Sequence, residues 1–279
     1  MWHKKLCLGV NSTFGLSVEE QIKLFKQVGF EGFFTHWEPG DPIEEWVKCA
    51  KENEMIYQSV HAPFGGSADM WGTDEAKAEK ALTVLLECLA VCEKYQIPIM
   101  VVHTYIGFGE HEPPSEVGLE RFGLLVAAAE KTNVKIAFEN TEGEEFLAAL
   151  MDRFSSSDSV GYCWDSGHEM CYNYSKDLLA LYGSKLIATH LNDNLGIKDF
   201  NGKIYYTDDL HLLPFDGIAD WDYNAQRLKR CNFDGMLTFE LCNTSKPGRH
   251  ENDVYQKMDI KEYISEVYKR ACRVAVKCL

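Results

Sequence analysis

The chain has 279 residues, of which 46% are hydrophobic and 25% are charged, a composition typical of a globular protein. Acidic residues outnumber basic ones by 43 to 28, which gives a formal charge of −15. Long-range repulsion from phosphate backbones and anionic membranes therefore argues against nucleic-acid and membrane partners. No apolar run is long enough to cross a bilayer, and no signal peptide precedes the first strand-like run. Ten scattered cysteines without a CxxC pair indicate reduced thiols, so we expect a cytoplasmic protein.

Short apolar runs alternate with amphipathic stretches along the chain. The apolar runs predict strands over Leu6–Val10, Gly32–Thr35, Ile56–Val60, Ile99–Val102, Lys135–Phe138, Val160–Trp164, Leu186–Thr189 and Met236–Phe239. The helical periodicity predicts helices over Ser17–Val28, Asp41–Asn53, Asp74–Tyr95, Ser115–Lys131, Glu144–Phe154, Lys176–Tyr182, Trp221–Cys231 and Asp259–Lys277. Ser17, Asp74 and Ser115 are suited to cap the helices that they precede.

Eight strands that alternate with eight helices indicate parallel β-structure with crossover helices. A closed (β/α)8 barrel and an open doubly wound sheet both satisfy this alternation. The count of eight and the chain length favour the α/β class with a single (β/α)8 TIM barrel, formed by residues 1–279 as one domain. No glycine-rich dinucleotide or phosphate-binding fingerprint follows any strand, which weakens the open-sheet alternative.

Residues that can bind a metal ion follow nearly every predicted strand. In chain order they are His36, His61, His103, Glu139, Asp165, His190 and Glu240, with His168 three positions after Asp165, and Asp209 and His211 in the segment after the seventh strand. In a barrel these strand ends lie on one face, where enzymes of this fold place their sites. Imidazole and carboxylate groups are the ligands of zinc-type and manganese-type ions. The sequence therefore predicts one or more divalent ions at the C-terminal end of the barrel.

Each of these residues also has a structural interpretation. A single histidine at a strand end is more often a hydrogen-bonded structural residue than a ligand. Glu139 and Glu240 each end an apolar run, and an unpaired buried carboxylate is costly, which favours a functional role. The remaining histidines, His3, His111 and His250, are expected to face solvent. The acidic stretch 142–145 is expected to be a solvated helix start.

The sequence around these residues resembles the xylose isomerase-like TIM-barrel superfamily. The motifs that carry the resemblance are HAP at His61, FEN at Glu139, WDSGH at Asp165, HLNDN at His190, the H-x-x-P-x-x-G-x-x-D-W run that begins at His211, and FEL at Glu240. They span almost the whole chain. This superfamily includes sugar isomerases and epimerases as well as the apurinic/apyrimidinic endonuclease family 2.

The resemblance to the ketose 3-epimerase branch implies one divalent metal ion bound by Glu139, Asp165, His190 and Glu240. It further implies that Glu139 and Glu240 are catalytic and exchange protons at the carbon beside the substrate carbonyl, through an enediolate. Manganese or zinc, with cobalt or magnesium as further options, is the implied cofactor. His168 is implied to help hold the substrate.

The resemblance to the endonuclease branch implies three zinc ions and nine ligands. This sequence offers a candidate for each of the nine, because His61, His103, His168, Asp209 and His211 join the four residues above. A trinuclear zinc phosphodiesterase that acts on abasic DNA therefore stays an alternative. The Ser-Lys pair of that branch after HLND is replaced here by Asn194-Leu195, and the run that begins at His211 has the form common among isomerases and epimerases.

True xylose isomerases are a poorer match, since they place a lysine two residues after the fifth-strand glutamate, where this chain has Thr141. The leading hypothesis is therefore a divalent-metal-dependent isomerase or epimerase of a sugar, sugar phosphate or keto-polyol. In it, His61, His103, His168, Asp209 and His211 bind substrate or additional metal. A barrel that binds a metabolite without turnover is a third hypothesis. A small-molecule sugar or polyol is the expected partner, and homo-oligomerisation stays open.

Overall fold

The computed structural model describes residues 4–197 and 203–279, so His3 lies outside the described residues. Its eight strands are β1 Leu6–Gly9, β2 Gly32–His36, β3 Ile56–His61, β4 Ile99–His103, β5 Lys135–Glu139, β6 Val160–Asp165, β7 Leu186–His190 and β8 Leu237–Phe239. They form one parallel sheet in the order β7-β6-β5-β4-β3-β2-β1-β8. A bridge between Leu191 and Phe239 joins the ends of β7 and β8, so the sheet closes into a barrel. The predicted (β/α)8 barrel is confirmed, and the open doubly wound sheet is wrong.

Ten α-helices lie between and after the strands in the described ranges. They are α1 Val18–Val28, α2 Ile43–Glu52, α3 Glu75–Tyr95, α4 Glu116–Ala129, α5 Glu144–Arg153, α6 Ser166–Cys171, α7 Leu178–Tyr182, α8 Trp221–Arg230, α9 Asp253–Gln256 and α10 Ile260–Lys277. The expected caps are present, since Ser17, Asp74 and Ser115 accept hydrogen bonds from the first turns of α1, α3 and α4. None of the helices in these ranges has the length and apolar composition needed to span a bilayer.

Two of these helices, α6 and α9, were not predicted. The α6 helix has only six residues and begins directly after β6. Its start depends on a side chain, because the Asp165 carboxylate accepts a hydrogen bond from the His168 backbone N–H at 2.6 Å. Such a short segment carries too few apolar positions for a helical period to be visible.

Strands β2 to β7 extend one residue further than the apolar pattern predicted, and in each of them the last residue is the polar one that follows the predicted run. β1 ends at Gly9 and β8 begins at Leu237, so each of these two strands is one residue shorter than predicted. The register pairs His103 with Glu139, and Asp165 with His190. Because successive side chains along a strand alternate between the two faces, these residues point into the barrel at one level.

A layer of small apolar side chains fills the barrel beneath this level. Val101, Ala137, Cys163 and Ala188 form one buried cluster, and each precedes a residue of the polar level by two positions. The larger core lies between the sheet and the helices around it. All ten cysteines are free, and seven of them are buried, as expected for thiols that act as small core residues.

A buried ion pair anchors α6 beside the barrel. The Arg227 guanidinium on α8 binds both carboxylate oxygens of Glu169 at 2.7 Å. The Trp164 indole N–H donates to the same carboxylate at 3.0 Å, and its ring lies 5.0 Å from the guanidinium carbon. Since α6 also carries His168, this contact fixes one side of the polar level.

We expect Glu169→Ala to lower the free energy of unfolding by about 3 kcal/mol, because the variant leaves the Arg227 charge buried beside a partly exposed Asp177. The matched control is Glu52→Ala, which removes an exposed ion pair with Lys48 and should cost less than about 1 kcal/mol. Urea denaturation of both variants measures the difference. Equal losses would contradict the anchoring role of the Glu169 contact.

Candidate metal centre

Four predicted ligands converge at the carboxyl end of the barrel. Glu139, Asp165, His190 and Glu240 each offer one ligand atom, and these four atoms lie within 4.8 Å of one another. His190 Nδ1 is 2.9 Å from Glu139 Oε1 and 3.2 Å from Glu240 Oε2. We call these four residues the central group. They come from the ends of β5, β6 and β7 and from the residue after β8, so the strand geometry brings them together.

The other five predicted residues lie in two groups beside the central group. His61 and His103 place Nε2 atoms 3.2 and 3.3 Å from Glu139 Oε2, so Glu139 belongs to two groups. His168, Asp209 and His211 form the third group, in which Asp209 Oδ2 is 2.8 Å from His211 Nε2 and Asp209 Oδ1 is 3.6 Å from His168 Nε2.

His36 stands at the rim, and its Nε2 atom is 3.7 Å from Glu240 Oε1. Among the described residues it belongs to no group whose ligand atoms lie close enough together to hold an ion.

The residues of the central group fit a divalent cation. Glu139 and Asp165 have no exposed surface, and the Glu240 side chain is 15% exposed. In the described ranges no lysine or arginine pairs with any of these three carboxylates, so imidazoles alone offset their charge. Burying several carboxylates without a cation is costly. Oxygen and imidazole ligands at this spacing are those that zinc-type and manganese-type ions take.

The electrostatics of the carboxylates reflect this crowding. Burial raises the pKa of the Asp165 carboxyl to about 6. Burial also raises the pKa of Glu139 and Glu240, but adjacent imidazoles, above all that of His190, more than offset this effect and hold the pKa of both carboxyls below the usual range. A bound cation favours the ionised form of all three groups, because it supplies positive charge at short range.

Amide side chains orient Asp165. The Asn192 Nδ2 group donates to both carboxylate oxygens of Asp165, at 3.2 and 3.0 Å. Asn140 holds the backbone, since its side chain accepts from Asp165 N at 2.8 Å and donates to Asp165 O at 2.9 Å. Gly167 makes room for this arrangement, because a Cβ atom there would lie 1.8 Å from Asn192 Oδ1.

A thiol lies behind His190. The Cys163 side chain belongs to a cluster with Glu139 and His190 whose ligand atoms lie within 4.8 Å of one another. Burial raises the pKa of the Cys163 thiol to about 12, so it stays neutral. His190 Nε2 is buried and has no hydrogen-bond partner among the described residues. The His190 imidazole therefore presents Nδ1 to the carboxylates, and its Nε2 atom faces the layer of small side chains that contains Cys163.

A cup of about 350 Å³ opens above the three groups. Its aromatic lining consists of Phe64, Phe108, Tyr172 and Tyr206, of which Phe64, Phe108 and Tyr206 are between 42% and 54% exposed. Rings that stay exposed around a polar floor offer flat apolar surface to the C–H faces of a ligand.

Two charged residues of the cup were not predicted. Glu142 was expected in a solvated helix start, but it is 2% exposed, lines the cup and accepts a hydrogen bond from Gly107 N at 2.9 Å. Burial raises the pKa of its carboxyl. Lys246 follows β8 and places its Nζ 3.6 Å from Asp209 Oδ2. No motif marked Lys246, whereas the position of Glu142 three residues after Glu139 was a usable signal.

We expect Asn192→Ala to weaken the binding of a divalent ion by about 10- to 100-fold, because Asp165 loses the amide that fixes its carboxylate. Competition with a chromophoric chelator measures this affinity. Asn133→Ala, at an exposed position before β5, is the matched control. Unchanged affinity in folded Asn192→Ala would refute the orienting role of the amide.

Solved structures with this fold include several sugar epimerases. The protein superposes on a zinc-containing IolI protein with a TM-score of 0.76, 18% identity and 99% coverage of both chains. The D-psicose 3-epimerase of Clostridium cellulolyticum H10 gives a TM-score of 0.71 with 14% identity, over 98% of this chain and 99% of that one. The 3-keto-D-glucoside 4-epimerase of Escherichia coli gives 0.67 with 16% identity, over 95% and 100%. At these identities the likeness shows a shared fold.

Sequence comparison adds a relative and a family. The protein y4fM of Sinorhizobium fredii is 41% identical over 115 residues, which are 39% of this chain, and the match spans 33% of that relative's length. The family described as xylose isomerase-like TIM barrel matches residues 22–260. That match covers seven strands completely, β2 to β8, together with the central group. The chain therefore belongs to the xylose isomerase-like TIM barrel family.

Proposed function

We propose that the protein is a divalent-metal-dependent isomerase or epimerase that moves a proton at the carbon beside a carbonyl of a sugar or keto-polyol. The observation that carries this proposal is the central group, in which two glutamates from different strands meet at one imidazole beside Asp165. Epimerases among the proteins of similar fold support the same reaction class.

The four residues of the central group would hold the cation. A divalent ion bound there stabilises the negative charge that develops on substrate oxygens when the adjacent carbon loses its proton. The choice between manganese, zinc, cobalt and magnesium depends on ligand number and geometry.

The two glutamates differ in their access to the cup. Glu240 lines the cup, and its side chain is 15% exposed. Glu139 has no exposed surface and is surrounded by the imidazoles of His61, His103 and His190. Glu240 is therefore the carboxylate that reaches the substrate from the cup. We assign proton exchange to both glutamates and expect Glu240 to respond more directly to the nature of the substrate.

The remaining polar residues of the cup are suited to bind hydroxyl groups. His61, His103, His168 and His211 line the cup, and each can donate or accept hydrogen bonds according to its tautomer. Glu142 adds a buried carboxyl with a raised pKa, and Lys246 adds a cation on the opposite loop. Hydrogen-bond donors and acceptors together suit a polyol, because each of its hydroxyl groups can both donate and accept a hydrogen bond.

A zinc phosphodiesterase of the endonuclease type is the second candidate. The specific observation in its favour is that the nine predicted residues form three groups, each able to hold an ion. Lys246 argues against it, because its ammonium lies 3.6 Å from the Asp209 carboxylate and so adds positive charge beside the third group.

We expect Glu240→Gln to lower the exchange of substrate C–H for solvent deuterium by about 10²- to 10⁴-fold while ligand binding persists, because an amide cannot accept the proton. NMR of ketoses incubated with the protein in D2O measures the exchange. Glu262→Gln, at an exposed position of α10, is the control. If Glu240→Gln exchanged deuterium at the wild-type rate, Glu240 would have no role in the proton transfer.

We expect purified protein to retain about one divalent ion per chain after exhaustive dialysis, because the central group offers four ligands and the third group lies beside Lys246. Elemental analysis measures the content. In Lys246→Met the retention of further zinc should rise, whereas Lys257→Met should not change it. Three tightly held zinc ions in the wild type, with cleavage of an abasic-site duplex, would favour the phosphodiesterase instead.

A further inference from the structure

A second cavity of about 580 Å³ opens beside the cup, between the loop after β3 and helix α3. We call it the side cavity. His103 lines both the cup and the side cavity. In the loop after β3, Phe64 lines the cup, whereas its neighbours Pro63 and Gly65 line the side cavity. The Phe64 ring stacks on His103 with 4.9 Å between the ring centroids. The side cavity therefore adjoins the cup at Phe64 and His103.

The sizes of the two spaces bear on the size of the ligand. The cup, at about 350 Å³, lies near the lower end of the range for small-molecule sites. A ligand with a second bulky unit must extend beyond it. The side cavity is larger than the cup and adjoins it at His103, so it offers room for such a unit.

The walls of the side cavity carry charges of both signs. Glu38 and Asp69 contribute carboxylates, and Lys77 and Lys80 contribute ammonium groups. Two negative and two positive groups leave no excess of positive charge, so a phosphate would meet repulsion as well as attraction. Hydroxyl groups both donate and accept hydrogen bonds, so a hydroxylated group can use all four side chains.

Two further features of the walls suit a sugar ring. Leu85, with Val84 and the two prolines of the lining, supplies apolar surface for C–H groups. The Ser67 hydroxyl is buried in the same lining, and among the described residues it has no hydrogen-bond partner. A buried hydroxyl without a partner is costly, and a bound hydroxyl or water would satisfy it.

The loop after β3 packs closely on α3 at Gly66, whereas the neighbouring Gly65 has free space beside it. A Cβ atom at Gly66 would lie 2.9 Å from Ala81 Cβ, so Gly66 lets the loop pack closely on α3. At Gly65 no heavy atom lies within 4 Å of the position of a Cβ atom. A larger side chain at Gly65 therefore fits without a clash there.

We propose that the side cavity is a subsite for a neutral glycosyl unit, so that the substrate is a ketose or keto-sugar joined to a second sugar. This inference rests on the proposed function, since the cup holds the ketose part. The ring of the second sugar would lie beyond His103, with its hydroxyl groups among the charged side chains of the cavity wall.

The experiment compares D-fructose with two glycosylated ketoses, lactulose and isomaltulose, and with D-fructose 6-phosphate. We expect deuterium exchange with a kcat/KM at least about tenfold higher for one of the glycosylated ketoses than for D-fructose or its phosphate. Gly65→Leu should lower that kcat/KM by about tenfold or more and leave the value for D-fructose nearly unchanged. Gly109→Leu is the control, because that glycine is equally open but lies outside the side cavity.

Three results would overturn the inference. They are a preference for free D-fructose, a preference for its phosphate, and an equal effect of Gly65→Leu on all the ketoses. If no ketose exchanges deuterium, the proposed function fails, and calorimetric binding of lactulose and isomaltulose then decides the subsite by itself. Failure of both to bind, or binding unaffected by Gly65→Leu, would reject the subsite, whereas binding lost in Gly65→Leu alone would keep it.

Discussion

The arrangement of polar side chains at the end of the barrel depends on Glu139. Its buried carboxylate lies within 3.3 Å of imidazole nitrogens from β3, β4 and β7, so it links the central group to the group of His61 and His103. Asp165 and Glu240 add two further carboxylates to the same space. Several negative charges in a largely dehydrated site are stable only with compensating positive charge, which protonated histidines supply in part and a divalent cation supplies more fully. The proposed cation would meet this demand for positive charge, and its own demand for ligands would account for the ionisable side chains at the end of an otherwise apolar barrel.

The barrel meets that demand through register. Parallel pairing sets His103 beside Glu139 and Asp165 beside His190, while small residues two positions earlier fill the layer below. Contacts outside the sheet then fix the orientation of individual groups. Asn192 holds the Asp165 carboxylate, and the Arg227–Glu169 pair holds the helix that carries His168. The orientation of a candidate metal ligand thus depends on a residue of a neighbouring element, and the geometry of the site is a property of the whole end of the barrel.

The sequence was sufficient to predict the repeating strands of the barrel. Apolar runs of strand length located all eight strands within one or two residues, and the fold then implied that the residues after them meet. The sequence did not reveal Glu142, because a run of acidic residues at a helix start is usually solvated, whereas here the β4 and β5 loops enclose the first of them. Lys246 and the side cavity depend on how long loops pack on one another, and no local pattern encodes that packing. The short α6 helix depends on one cap by Asp165, and six residues are too few to show a helical period in the sequence.

Features that this protein shares with proteins of similar fold lie in the strands, whereas features particular to this chain lie in the loops. Proteins with only 14 to 18% identity share this fold, so the strands and the closure of the barrel tolerate wide sequence change. The central group lies at strand ends and is compatible with proton transfer in many substrates. Lys246, Glu142 and the 63–67 loop lie beyond the strand ends, where one added charge or one open glycine changes which ion or ligand fits. In the proposed function the barrel thus sets the chemistry of the reaction, whereas loops whose side chains face the cup and the side cavity set the identity of the substrate.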